Sequence, residues 1–581
     1  PGGPMSRRRQ ATSYEWRWYA ALLLVVLLFV ALSVRILSLQ VMDTDRGAAF
    51  LKHQGAMRTV RNAELPAYRG LITDRRGEPL AVSTPVISLW AHPGQLSASG
   101  RVAELAGKLG LKPAELQEKL ARYRGKQFMY LDRHMVPDAA RSVLALNVQG
   151  VHPEREYRRF YPAGEVGAQL VGLTNVDGRG VAGVELAYDN WLRGETGRKR
   201  YIKDLHGDAV RDIGVVKPAR PGRNLRLSID LRLQTLQHRE LERAIQVTGS
   251  EAGTIVTLDA HSGEVLAAVS YPNFNPNNRS GVSMAQTRSR ALTDVFEPGS
   301  TMKPLTMVAA LESGLYTSDT MIDTNPGRIR VGRKVLPDPS NYGEITLARV
   351  VAKSSQVGIT KVALELGHAP VWAVFRRFGL GETTATGFPG ESSGMLPQRP
   401  RWRPIEEVTL AFGYGLTATP LQIARAYAVF ANGGMLPEIS LLARESGYPP
   451  GQRVVAASIA QEVLEVLAEV ASENGTGSRA RVPGYAVGGK TGTVHKVGKG
   501  GYQDDQYVAL FAGVAPIDAP RFVTVVVLDR PKGDSYGGGA AAAPVFARVA
   551  GETLRLLGVA PQLGESEAFA VAAATPPGVT P

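Results

Sequence analysis

The run from Trp18 to Val34 is apolar apart from Ser33, with Arg17 before it and Arg35 after it. As a helix it would be about 26 Å long, just short of the ~30 Å hydrocarbon core of a bilayer. Arg35 can snorkel to the interface, so Ile36, Leu37 and Leu39 complete a span over residues 18–39. No second run of this kind follows. Arg7, Arg8, Arg9 and Arg17 lie on the N-terminal side, and the positive-inside rule places residues 1–17 in the cytoplasm. Everything after about residue 40 is then expected outside the inner membrane, in the periplasm. A cleaved signal peptide is the alternative, but the run is long and no small-x-small cleavage site follows it. Pro1-Gly2-Gly3-Pro4, ahead of Met5, is expected to be an expression scar.

A chain of 581 residues exceeds one ordinary core, so two or more domains are expected. The absence of cysteine excludes disulfides, thiol catalysis and cysteine-ligated zinc. With no His-x-x-x-His pair or acidic calcium loop, neither a metal nor another cofactor is expected. Lys and Arg total 67 against 53 Asp and Glu, a net charge of +14. The basic residues are scattered and do not alternate with aromatics, so no nucleic-acid partner is expected. Such a charge also suits a protein facing anionic lipid and wall polymer.

Residues 40–224 carry short strand-like and helical pieces broken by Gly and Pro, with a helix-rich polar stretch at 101–145. A second domain is read from Leu225. Thr254–Leu258 and Val265–Ser270 are expected strands joined by a hairpin loop, and Tyr507–Val514 and Phe522–Leu528 form another hairpin. Thr419-Pro420-Leu421-Gln422 has capping-box form, with proline at the first helical position, and Asn432-Gly433-Gly434 ends that helix. Strands at both ends with helices between give an α+β plan, one antiparallel sheet flanked by helices. Residues 561–581 read as a disordered tail.

Ser300-Thr301-Met302-Lys303 follows Glu297-Pro298-Gly299, a turn signal expected to open a helix. At that spacing serine and lysine share one helical face, and the serine lies near free backbone N–H groups and the positive dipole end. A serine hydroxyl becomes a nucleophile when a nearby amine, held neutral by burial, removes its proton. Alone the pattern is weak, since most such pairs are a solvated lysine beside a helix cap. Two later segments strengthen it: Ser354-Ser355-Gln356, and Lys490-Thr491-Gly492-Thr493 after Gly488-Gly489, where small residues at a strand edge allow close backbone approach.

In that order the segments resemble the penicillin-recognising serine acyltransferases, which include the penicillin-binding proteins and serine β-lactamases. Three further blocks, Arg69–Ala81, Arg158-Arg159-Phe160-Tyr161-Pro162 and Gly183-Val184-Glu185, resemble the non-catalytic module of class B penicillin-binding proteins. Phe296–Ser300, Gly387–Glu391, Phe412–Leu416 and Tyr536–Gly539 ahead of Ala543-Pro544-Val545-Phe546 add to the likeness, which is strongest for members acting at the division septum. The resemblance implies an anchor at 18–39, an elongated mixed α/β pedestal (dimerisation) domain at 40–224 and a β-lactamase-like transpeptidase domain at 225–560. One departure stands out, because the family usually has Ser-Ser-Asn where this chain has Ser354-Ser355-Gln356.

The resemblance also implies the chemistry. Ser300 is the nucleophile toward peptidoglycan stem peptides, Lys303 its base, Ser354 a proton relay and Lys490 a source of positive potential. Gln356, Thr491, Gly492 and Thr493 are expected to bind substrate, with backbone N–H groups of Ser300 and Thr493 as the oxyanion hole. Implied partners are β-lactam antibiotics, a membrane glycosyltransferase of the FtsW type and other divisome proteins. The alternatives are a β-lactam-hydrolysing or β-lactam-sensing relative and a catalytically silent divisome scaffold. The anchor and pedestal weigh against a diffusible hydrolase, the short N-terminal tail against a sensor, and the full set of proton-handling residues against a scaffold.

Overall fold

The computed structural model describes residues 15–40, 49–50, 53, 60–203, 209–445, 447–498, 501–533 and 536–561. The expected arm before residue 15 and the expected disordered tail after residue 561 lie outside the described residues. Helix α1, Glu15–Gln40, has an apolar stretch of mean hydropathy 2.8, long and apolar enough to cross a membrane once. Its first described turn carries Glu15, an acid that suits the positive end of the helix dipole. Trp16, Trp18 and Tyr19 follow, residue types that favour a membrane interface.

Strand β1 is Val60–Leu65; β2, Ile72–Thr73, and β3, Pro79–Ala91, follow. Helices α2 (Val102–Lys108) and α3 (Pro113–Arg122), strand β4 (Met129–Met135) and helix α4 (Pro137–Leu144) fill the polar stretch, and strand β5 (Val151–Phe160) follows it. Next come α5 (Gly183–Ala187), β6 (Gly197–Lys203), β7 (Ala209–Lys217) and β8 (Leu225–Arg226). Strands β1, β6 and β7 form a small antiparallel sheet with Val60 opposite Ile202 and Arg198 opposite Lys217. It belongs to the same compact unit as α1, separate from the remainder of the chain.

In the larger unit, β3 pairs with both β4 and β5. Leu89 and Ala91 of β3 are buried with Leu105, Leu116 and Val143 of the three helices. The three blocks of the first module, far apart in sequence, meet here. Both oxygens of the fully buried Glu185 are taken, one by Arg69 Nε at 2.5 Å and the other by Arg159 Nε at 2.6 Å. Arg69 also reaches Asp189 at 2.6 Å. Buried charges are tolerable only when saturated in this way. Strand β8 pairs in parallel with β2, Leu225 opposite Ile72, so the residues expected to open the second domain complete a sheet of the first.

The second domain starts with α6, Leu231–Thr248, capped by the Asp230 side chain on Arg232 N. Strands β9 (Ala252–Asp259) and β10 (Val265–Tyr271) form the expected hairpin. After a 3-10 turn at Gly299–Met302 come helices α7 (Lys303–Glu312), α8 (Leu347–Ala352), α9 (Gln356–Leu366), α10 (Pro420–Ala431) and α11 (Ala457–Ala471). Strands β11 (Gly488–Gly498), β12 (Gly501–Ala515) and β13 (Phe522–Asp529) precede α12 (Gly538–Ala541) and α13 (Ala543–Leu556). One five-stranded antiparallel sheet results, in the order β10-β9-β13-β12-β11.

Alternation along the strands divides its faces. Ile255, Phe511, Val526 and Leu528 pack with Leu241 of α6 and Phe546 of α13. Val256, Leu510, Val525 and Val527 pack with Leu305 of α7 and Ile423 of α10. The capping box of α10 forms as its sequence implies: Gln422 N donates to Thr419 Oγ1 at 3.1 Å and Thr419 N to Gln422 Oε1 at 2.8 Å. Strand β11 is thereby an edge, and the serine–lysine turn lies beside it.

Candidate active site

The serine turn is tighter than the helix start its sequence suggests. Gly299 sits at φ +57 and leads into the 3-10 turn, and the α-helix begins only at Lys303, with Pro304 in its first turn. Gly299 N donates to Gly413 O at 3.0 Å. A Cβ on Gly413, itself at φ +84, would fall 2.1 Å from Gly299 O, so no side chain fits there. Tyr427 Oη donates to Thr301 O at 2.7 Å and Thr301 Oγ1 to Pro298 O at 2.7 Å. These bonds fix the turn from two sides. Thr301, Met302 and Lys303 are buried, and Ser300 keeps partial exposure.

Lys303 is fully buried. Its Nζ donates to Ser354 O at 2.5 Å and Ser355 O at 3.2 Å, and lies 3.2 Å from Ser354 Oγ. Burial pulls its pKa down to about 7, against the pull of the Asp338 carboxylate in the other direction. The amine therefore exchanges its proton near neutrality, as a general base must.

Ser354 adopts the left-handed conformation at φ +58, rare for a residue with a side chain. The next residue, Ser355, caps α9 by accepting from Gly358 N at 2.9 Å. Its hydroxyl donates to Asp338 Oδ2 at 2.5 Å. Asp338 Oδ1 accepts from Gln356 N and, at 3.1 Å, from Val357 N. Gln356 is the first residue of α9 and stays half-buried.

On β11, Lys490 is fully buried and its Nζ donates to Thr491 O at 3.2 Å. Burial, then repulsion from Lys303, hold its pKa well below the ordinary lysine value. Thr491 Oγ1 donates to Thr476 Oγ1 at 3.2 Å, and Thr493 Oγ1 accepts from Gly538 N at 2.9 Å. Gly492 is required by its neighbours, because its Cβ would lie 2.5 Å from Leu510 Cδ2. A Cβ on Gly299 would meet Val494 Cγ2 at 2.5 Å, so the serine turn is packed directly on this strand. Ser300, Lys303, Ser354 and Lys490 thus come from a turn, a helix start, a loop and an edge strand of one domain.

The chain matches the penicillin binding protein transpeptidase domain over residues 253–551 and the penicillin-binding protein dimerisation domain over 64–227. It is 40% identical to the peptidoglycan D,D-transpeptidase FtsI of Escherichia coli over 564 residues, covering 96% of this chain and 95% of the relative. The chain belongs to the class B penicillin-binding proteins. It is also 39% identical to the probable peptidoglycan D,D-transpeptidase PbpC of Pseudomonas aeruginosa over 558 residues, covering 96% of this chain and 98% of the relative. Among solved structures it resembles penicillin binding protein 3 of Mycobacterium tuberculosis in complex with aztreonam, with 28% identity and a TM-score of 0.67 over 86% of this chain and 98% of that one. A peptidoglycan synthetase of Bifidobacterium adolescentis gives 27% identity and a TM-score of 0.69 over 88% and 99%.

Sequence reasoning missed several groups of this penicillin-binding protein's groove. Asp338 and Thr476 support the motifs without belonging to a spacing pattern. Glu297, three residues before the serine, accepts from Gly415 N at 2.8 Å and Tyr502 Oη at 3.1 Å, and burial raises its pKa. Its place in the turn signal before Ser300 was the one local hint.

Proposed function

We propose that this penicillin-binding protein crosslinks peptidoglycan stem peptides at the division septum as a serine D,D-transpeptidase, and that β-lactams acylate the same serine. The observation that carries the reading is the buried Lys303 amine, with a pKa of about 7 and the Ser354 hydroxyl 3.2 Å away. Neutral Lys303 takes the proton from Ser300 as its oxygen attacks the carbonyl of the penultimate D-alanine. Backbone N–H groups of Ser300 and Thr493 receive the oxyanion, each worth roughly 3 kcal/mol. Ser354 passes a proton to the departing D-alanine amine, leaving an acyl-enzyme. The amine of a neighbouring stem then attacks the ester, releasing Ser300 and closing the crosslink.

Lys490, Thr491, Gly492 and Thr493 hold the terminal carboxylate of the donor peptide. Substrate arrival favours the charged form of Lys490, because an anion beside a buried amine opposes the effect of burial. Gln356 contacts the peptide amide with a longer arm than the family's usual asparagine.

Residues 40–224 act as pedestal and 225–560 as catalytic domain, with Leu225 and Arg226 contributing their short strand to the pedestal. The anchor leaves the N-terminus in the cytoplasm and the catalytic domain in the periplasm. An FtsW-type glycosyltransferase supplies nascent glycan and contacts the anchor, together with other divisome proteins. Replacing residues 18–37 with an unrelated spanning helix tests that contact. Loss of co-purification and of septal crosslinking is expected, and retention of both would reduce the anchor to a tether. The activity itself is tested by incubating the chain with donor and acceptor stem peptides. Dimeric product and free D-alanine are expected, whereas hydrolysis without dimer would contradict a transpeptidase.

A further inference from the structure

We propose that Asp338 is a positioning residue of the acylation step, holding Ser354 in the conformation that turns its hydroxyl and carbonyl onto the Lys303 amine. This rests on the reading of Ser300 and Lys303 as nucleophile and base. Asp338 belongs to none of the three catalytic motifs. It follows the strand Lys334–Pro337, and its own N–H donates to Gly327 O at 2.9 Å, so its backbone is fixed from outside the Ser354 loop. The residue is 9% exposed, and its carboxylate faces the loop.

Its two oxygens take the Ser355 hydroxyl and the N–H groups of Gln356 and Val357. Those N–H groups are free donors of the first turn of α9, where a carboxylate is also favoured by the helix dipole. The Ser355 cap satisfies Gly358 N alone, and the carboxylate takes the two N–H groups nearest Ser354. The added carboxylate therefore fixes the residues that follow Ser354. Ser354 itself is strained at φ +58, a conformation costing roughly 1–2 kcal/mol that persists only when its surroundings impose it. In that conformation the carbonyls of Ser354 and Ser355 both accept from Lys303 Nζ.

Asp338 also acts on the base through charge. The charged groups that bear on Lys303 are Asp338, which favours the ammonium form, and the second buried amine, Lys490, which opposes it. Removing the carboxylate makes the ammonium less stable, so Lys303 becomes neutral at a lower pH. The charge alone would move this titration, so positioning is read from the plateau rate, which a mere helix cap would leave unmoved.

The test is the second-order rate of acylation of the full chain by fluorescent penicillin between pH 5 and 9, alongside thermal melting. The unsubstituted chain is expected to rise in rate with a midpoint near 7. Asp338→Asn keeps the shape but not the charge, and is expected to lower the plateau at least tenfold and move the midpoint to lower pH. Asp338→Glu keeps the charge but misplaces it, so the plateau falls while the midpoint stays. An Asp338→Asn chain with an unchanged plateau overturns the proposal, whatever its midpoint or melting temperature. Should that variant fail to fold, Ser355→Ala decides. A several-fold lower plateau at the original midpoint supports positioning, and an unaltered plateau overturns it. Absence of acylation in the unsubstituted chain would instead count against the serine-acylation reading itself.

Discussion

Lys303 Nζ lies 3.2 Å from Ser354 Oγ and donates to the Ser354 carbonyl at 2.5 Å, although the residues are 51 positions apart. The amine is fully buried, with the Ser354 and Ser355 carbonyls accepting from it and the Asp338 carboxylate favouring its charged form. This arrangement makes the free base available near neutral pH. Lys303→Arg removes that option, because guanidinium stays protonated throughout the accessible range. Penicillin acylation by this variant is expected to fall by about 10³ or more and to show no recovery up to pH 9. A rate within tenfold of the unsubstituted chain would remove Lys303 from the role of base.

Gly413 bears on the nucleophile through backbone alone. Gly413→Ala puts a methyl group 2.1 Å from Gly299 O at a positive φ, so the serine turn must shift. The expected cost is about 2 kcal/mol or more of stability, with a tenfold or greater loss of acylation rate. Denaturant unfolding and penicillin labelling measure the two, and unchanged values in both would show that the turn is not braced there.

The Arg69–Glu185–Arg159 cluster ties together blocks of the pedestal and not the catalytic groove. Glu185→Ala leaves two buried guanidinium groups without their shared carboxylate, and should destabilise that module by about 3–5 kcal/mol. Material that remains folded should label with penicillin at the normal rate. Normal stability would mean that the cluster is relaxed by water or by Asp189.

Gln356 lies half-buried at the start of α9, so Gln356→Asn should leave stability within about 0.5 kcal/mol. The shorter amide alters reach into the groove, and the ratio of acylation rates between β-lactams with small and bulky side chains is expected to change several-fold. An unchanged ratio across a panel would separate this position from substrate contact.

Much of the fold was legible because its signals are local. Thr254–Leu258, Val265–Ser270, Tyr507–Val514 and Phe522–Leu528 are compact apolar runs, and each lies within a strand of the central sheet. Thr419 and Gln422 carry their cap within one turn. Ser300, Lys303 and the Lys490–Thr493 run were singled out by their order along the chain together with the family resemblance, since the serine–lysine spacing alone is weak. The pairing of Leu225 with Ile72 was not legible, because Ile72 lies in a distant part of the chain and two residues carry no periodicity. Asp338 was invisible because a lone aspartate near prolines reads as a loop until folding brings it to Ser355. The burial of Lys490 could not be read either, because solvent exclusion at an edge strand depends on what packs over it.

The most direct test of the account is peptide mass spectrometry of the full chain after incubation with labelled penicillin, with Ser300→Ala in parallel. The account requires one long-lived adduct on the peptide containing Ser300, and none in the variant, which should melt like the unsubstituted chain. An adduct on another serine, rapid release of hydrolysed penicillin, or labelling that survives Ser300→Ala would contradict it.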